Sequence, residues 1–286
     1  MSVVFVFAAT KMESGVIARM MQRKSHLPNQ KTITIGEIGS NQIVLVNTGM
    51  GPRNARRAAG RVFQSSSTLA SGPRGALPVP DAAIITGLAG SLVRGIGEGE
   101  IVTYRACLSA TGGEGPIVCS SLMIESVTRS LGLKGLTCKP VTGISSDRIA
   151  QADRDRERLA ETGAVVVDME SFDVAACSAA AGVPVAAIRA VSDSPGSRMP
   201  DLNRALNPGG EFNRWALAPV LAGAPLATLR LFKGSKRAIG ALEQAMDAFL
   251  STCRDEEISR WRLDKLESPG GLKNEHSQEK DNAVAR

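Results

Sequence analysis

Aromatic residues are scarce in this chain. They make up 3% of 286 residues, with Tyr104 the single tyrosine and Trp215 and Trp261 the two tryptophans. A platform for single-stranded nucleic acid stacks successive bases on exposed aromatics, so that function is disfavoured from the start. Histidine is scarcer still, limited to His26 and His276. The five cysteines (Cys107, Cys119, Cys138, Cys177, Cys253) are scattered, odd in number and never spaced C-x-x-C. A zinc site is therefore not expected, and no motif calls for a cofactor. Cysteines in surroundings such as AACSAAA behave as small hydrophobes, which fits a reducing cytoplasm. Long apolar runs are also missing. The opening SVVFVFAAT is too short to span a bilayer, no Lys or Arg precedes it, and it reads as a buried strand rather than a signal peptide. It runs into AATKMES, so the G-x-G-x-x-G turn of a dinucleotide-binding fold is lacking.

What is present in excess is positive charge, +6 net. No single block carries it. Arg53, Arg56, Arg57 and Arg61 share one helical face, and Arg230, Lys233, Lys236 and Arg237 form a second cluster. Both read as solvated faces ahead of a phosphate or membrane surface, and no nucleic-acid partner is expected.

Short β-branched runs alternate with amphipathic stretches, the pattern of an α/β sheet. Strands are expected at 3–7, 42–47, 82–86, 100–104, 136–143, 164–167 and 183–191. Helices are expected to begin at Lys11, Pro52, Ser120, Arg148, Ser171 and near Glu211. A last long helix is expected from about Lys236, where Ile239, Leu242, Met246 and Phe249 recur at three- and four-residue spacing. Residues 65–80 read as a loop and 268–286 as a disordered polar tail, leaving one domain over 1–267.

Two segments carry chemistry. In IITGLAGSLVRGIGEGEIV a buried strand ends in Gly87, Ala89 and Gly90, small residues that let a ligand approach the backbone. In VVVDMESFDVAACSAAAGVPVAAIRAVSDSP one strand ends at Asp168-Met169-Glu170, and the next delivers Arg189 and Asp193. Either acid alone would pass as a cap, Glu170 on a helix N-terminus and Asp193 on a turn. Two carboxylates on neighbouring strand ends fit better with a ligand site, since open α/β sheets bind ligands there.

The stretches VFVFAATKMES, VLVNTGMGPRNARRA, IITGLAGSLVRGIGEGEIV and VVDMESFDVAA…AAIRAVSD, in that order, resemble the nucleoside phosphorylase superfamily. The branch they resemble is the methylthioadenosine/S-adenosylhomocysteine nucleosidases. DMES, AAIRAVSD and RMPDLNRALNPGGEF…APLATLRLFKGSKRAIGAL are most similar to the hopanoid-associated phosphorylases. The resemblance implies a three-layer α/β/α sandwich around one mixed, twisted sheet, and a homodimer. It implies release of adenine from a 5′-substituted adenosine: adenosylhopane, methylthioadenosine or S-adenosylhomocysteine. Glu13 would activate the attacking water. Glu170, with Met169 beside it, would hold the ribose 2′ and 3′ hydroxyls. Asp193 would protonate purine N7, its pKa raised by burial beside walls such as Val191. Ala89 and Gly90 would border the ribose. Ile149 stands where the nucleosidases stack a Phe on the base, and Arg189 is a strut or an anion contact.

Two alternatives stay open. Phosphate could replace water, since Arg53 follows the Gly49-Met50-Gly51 turn at a helix start. A nucleoside-binding sensor could use the same fold without catalysis. In residues 219–238 leucines adjoin Arg230, Lys233, Lys236 and Arg237, which fits either cover for the sheet's edge or peripheral membrane contact.

Overall fold

A computed structural model describes residues 1–27, 30–67, 77–197, 199–207 and 213–267. The tail expected at 268–286 and most of the loop expected at 65–80 lie outside them. The strands are β1 (Val3–Ala8), β2 (Gln22–Leu27), β3 (Gln30–Ile38), β4 (Asn41–Asn47), β5 (Ala82–Ser91), β6 (Ile101–Ser109), β7 (Ile117–Val118), β8 (Cys138–Ser145), β9 (Val166–Asp168) and β10 (Val185–Asp193). The helices are α1 (Lys11–Met20), α2 (Pro52–Ser67), α3 (Ser121–Leu133), α4 (Asp153–Ala160), α5 (Ser171–Ala180), α6 (Arg214–Ala222), α7 (Pro225–Leu250) and α8 (Asp255–Glu267). A 3₁₀ turn, Leu202–Ala205, precedes α6.

All the strands join one mixed sheet, as expected. Parallel pairings of β1 with β4 and β5 extend it toward the antiparallel β3 and β2. At the other side β5 pairs with both β9 and β10, and β10, β6, β8 and β9 follow in turn, so this half of the sheet closes on itself.

Alternation explains why β1 is apolar at nearly every position. Val4 and Val6 pack with α1, α3, α7 and α8, while Phe5 and Phe7 face α2 and α5. Phe63 of α2 meets both phenylalanines, with ring centroids 5.9 and 5.6 Å away. Burying each such ring contributes ~1.5–3 kcal/mol. Helices thus cover both faces, giving the three layers expected.

Several strand ends and three helix starts differ from the sequence reading; β5 runs on from Thr86 to Ser91 and β6 from Tyr104 to Ser109, so Gly87, Ala89 and Gly90 lie within β5. The helix expected at Arg148 begins at Asp153, because 147–152 forms a turn beside the sheet. The helix expected near Glu211 begins at Arg214, capped by the Asn213 side chain. The last long helix, α7, begins at Pro225 rather than Lys236, with proline in its first turn, where no amide donor is needed.

Candidate active site

Glu13 sits in the first turn of α1 and is held from two sides. Thr10 caps the helix, and its amide and hydroxyl each donate to Glu13 Oε2 at 2.8 Å, a reciprocal capping box. The Leu88 amide donates to Oε1, also at 2.8 Å, tying α1 to β5. Gly87 makes this possible. Its φ is +150°, and a Cβ there would fall 2.5 Å from Glu13 Oε1 and 2.6 Å from Arg189 Nη1. Any side chain at 87 would push the carboxylate away.

The end of β9 supplies a buried polar knot. Asp168 accepts from Ser145 Oγ at 2.6 Å, Tyr104 Oη at 3.0 Å, the hydroxyl of Ser171 and the amides of Glu170 and Ser171. Gly143 gives the Tyr104 ring its place, since a Cβ there would meet the ring at 2.1 Å. Burial alone would raise the Asp168 pKa, but Arg189, 3.2 Å away, and the Ser145 and Ser171 hydroxyls outweigh it and hold Asp168 below the ordinary range.

Glu170 lies one peptide from α5 at the N-cap position, yet its side chain makes no capping bond. Instead Oε1 accepts from the Gly51 amide at 2.8 Å, and Oε2 lies 3.8 Å from Arg189 Nη2. Burial pushes the Glu170 pKa up to about 8; Arg189 opposes the rise, while the Asp168 and Glu13 carboxylates add to it.

Asp193 ends β10, where the register against β5 shifts between Val191 and Asp193. The irregularity keeps Val191 in the core and turns the carboxylate into a cavity. The apolar surroundings expected for Asp193 are not what it meets. Arg156 of α4, 2% exposed, donates through Nη2 to Asp193 Oδ2, and through Nη1 to the Ser91 carbonyl at 2.6 Å. Ser192 Oγ donates to Asp193 Oδ1 at 2.6 Å. A Cβ on Gly90 would fall 2.9 Å from Asp193 Oδ2, so glycine leaves room for the pair.

These groups open on one cavity of about 640 Å³. Glu13, Ala89, Gly90, Ile149, Met169, Glu170 and Asp193 all line it. Arg189 does not: it is buried, 3.8 Å from Glu170 Oε2, and donates from Nη2 to Ser171 Oγ at 2.8 Å. Arg53, the suggested phosphate contact, is exposed and outside the lining, and the Gly51 amide beside it is already given to Glu170. The 3₁₀ turn, α6 and α7 add a mainly apolar wall, Leu202, Leu217, Leu221, Leu231, Phe232 and Ile239, interrupted on α7 by Ser235 and Lys236. Asn203 locks this wall to the base of the cavity, bonding the Ile149 amide at 3.0 Å and its carbonyl at 2.9 Å. A second cavity of about 660 Å³, between β3, β4 and α2, is lined by Lys31, Arg57 and Arg61 and, among the described residues, by no carboxylate.

Sequence reasoning missed Arg156. Within DRDRERLA it reads as one more charge on a solvated helix, and the signal for its burial is its three-residue spacing from Leu159, the other buried side chain of α4.

The phosphorylase superfamily model matches residues 9–207. No curated protein matches the sequence. Among solved structures, S-adenosylhomocysteine nucleosidase from Streptococcus pyogenes, in complex with 5-methylthiotubericidin, superposes with a TM-score of 0.67 at 15% identity, covering 88% of this chain and 98% of that one. The 5′-methylthioadenosine/S-adenosylhomocysteine nucleosidase from Neisseria meningitidis, in complex with methylthio-immucillin-A, gives 0.66 at 18% identity, covering 88% and 100%. A futalosine hydrolase mutant from Helicobacter pylori gives 0.61 at 15% identity, covering 86% and 99%.

Proposed function

The chain belongs to the phosphorylase superfamily, and from that premise we propose that it hydrolyses the N-glycosidic bond of a 5′-substituted adenosine. The observation that carries this reading is the meeting of Glu13, Glu170 and Asp193, from three separate elements, in one cavity. As the C1′–N9 bond breaks, the ribose gains oxocarbenium character and the bonding pair moves onto the purine. Carboxylates around the sugar stabilise that charge more in the transition state than in the ground state. Glu13 takes a proton from water as its oxygen bonds C1′, Glu170 grips the 2′ and 3′ hydroxyls, and Asp193 delivers a proton to N7. For that last step Asp193 takes up a proton from solvent on Oδ1 as the base enters and displaces the Ser192 hydroxyl, while Arg156 stays on Oδ2. Arg156 fixes where the carboxyl points and adds donors beside the base.

Two placements support water over phosphate: the Gly51 amide that could cradle an anion at the start of α2 is bonded to Glu170, and Arg53 is exposed and does not line the cavity. The apolar wall favours a large hydrocarbon at the 5′ position, such as the hopane of adenosylhopane, over a methylthio group. The test compares adenosylhopane, methylthioadenosine and S-adenosylhomocysteine side by side for released adenine, with and without phosphate. Adenine release from adenosylhopane in phosphate-free buffer supports the reading. Tight binding with no release from any of the three supports a sensor instead. A homodimer, implied by the resemblance, is checked by light scattering.

A further inference from the structure

The apolar wall does not end at the cavity's mouth. Four of the ten large apolar side chains exposed among the described residues fall between positions 215 and 232: Trp215 (78%), Leu226 (73%), Leu229 (51%) and Phe232 (59%). Phe232 also lines the cavity, so inner wall and outer patch are continuous. Among the described residues no single helix is long and apolar enough to cross a membrane; α6 and α7 reach that length and apolar character only together, bent by 108° at their junction. Helical spacing sorts α7 into two faces. Leu231, Ser235 and Ile239 turn to the cavity, while Leu226, Leu229, Arg230, Lys233 and Arg237 share the outward side. No acidic residue occurs between Asn213 and Leu242. The outward face is thus apolar toward the helix start and cationic beyond it at Arg230 and Lys233, with Arg237 paired to Glu98 at 3.6 Å.

We propose that α6 and the first half of α7 dock on the surface of an anionic lipid bilayer and open the cavity's apolar arm toward it. Apolar side chains bordered by cations suit the headgroup region, where the former leave water and the latter meet anionic lipid. A second copy of the chain suits the patch less well, because a two-fold contact would set one cationic face against another. The docking element is also joined rigidly to the chemistry: α7 crosses β10 so closely that a Cβ on Gly234 would fall 2.4 Å from the Ser192 carbonyl, next to Asp193. A nucleoside carrying a hydrocarbon at its 5′ carbon could then enter from the bilayer without exposing that group to water. This inference rests on the nucleosidase reading for its substrate, but the docking itself is measured without it.

The experiment sediments the full chain with vesicles of phosphatidylcholine alone and with phosphatidylglycerol added, at low and high salt. Binding is expected to the phosphatidylglycerol vesicles, to fall at least several-fold in high salt, and to be lost in a Leu226→Ser/Leu229→Ser variant. Both residues are exposed, and circular dichroism checks that the variant keeps its fold. Adenine release from a short-chain 5′-alkyl adenosine in solution should be unchanged in it. Failure of the wild type to sediment at low salt, or equal sedimentation of the variant, overturns the proposal. So does light scattering that finds a wild-type dimer and a monomeric variant. Vesicle binding without base release would instead refute the nucleosidase reading and leave docking standing.

Discussion

The two walls of the cavity are built by different means. The acidic wall hangs from strand ends and a capped helix turn, and each carboxylate is fixed by two or more hydrogen bonds or an ion pair. Glycine at 87 and 90 leaves the carboxylates the space that any other residue's Cβ would fill. The apolar wall comes from α6 and α7, has Leu217, Leu221 and Leu231 only half-buried, and is held to the sheet through Gly234 and Asn203. One wall is specified atom by atom, the other mainly by surface character. On this account the first sets whether the glycosidic bond breaks, and the second sets which substituent is accepted.

That division can be broken by substitution. Asp193→Asn should cost about 10²–10⁴-fold in kcat, the usual weight of a positioned acid, with little change in nucleoside affinity. A loss below tenfold would remove Asp193 from the chemistry. Arg156→Met should act on stability first. Stripping a buried carboxylate of its partner costs ~3–5 kcal/mol, to be read from denaturant unfolding. The same variant should displace the pH profile of kcat, a readout that a purely structural role would leave unmoved.

Glu170→Gln is expected to act through pH. In the folded protein Glu170 titrates at about 8 against an ordinary 4.5. Between those values the native state holds a proton that the unfolded chain has released. Its contribution to stability is complete below 4.5 and is lost as pH rises through 8. The variant should flatten that fall in a Tm series from pH 4.5 to 8.5. It should also abolish the rise in kcat/KM as the ribose-gripping carboxylate ionises. The smallest effect belongs to the other wall. Leu231→Ala should raise KM about tenfold for a long 5′-alkyl adenosine and leave methylthioadenosine nearly untouched, the scale expected from lost apolar contact in a binding pocket. Equal changes for both substrates would erase the distinction between the walls.

Most of the acidic wall was legible in the chain because its signals are local, DMES and VSD at strand ends with GLAG beside them, whereas Glu13 came only from the resemblance of VFVFAATKMES. What escaped depends on partners distant in sequence. Gln22–Leu27 has no apolar alternation and is almost wholly exposed; it is a strand because β3 offers it an edge. The early start of α7 was hidden because its first turns bury little, so the periodicity of a packed face begins only where the sheet does. Arg156 was obscured by the charges around it, and its meeting with Asp193 spans 37 positions. Arg189 was legible only as a strut or an anion contact; its contacts with Asp168 and Ser171 come from residues 21 and 18 positions away.

The measurement that tests the central claim most directly is a turnover in H₂¹⁸O, with a long-chain 5′-alkyl adenosine as substrate and phosphate present. The account predicts free adenine and a sugar carrying ¹⁸O on its C1′ hydroxyl, at a rate independent of phosphate. A sugar 1-phosphate without label, or no adenine at all from a substrate that binds, would contradict it.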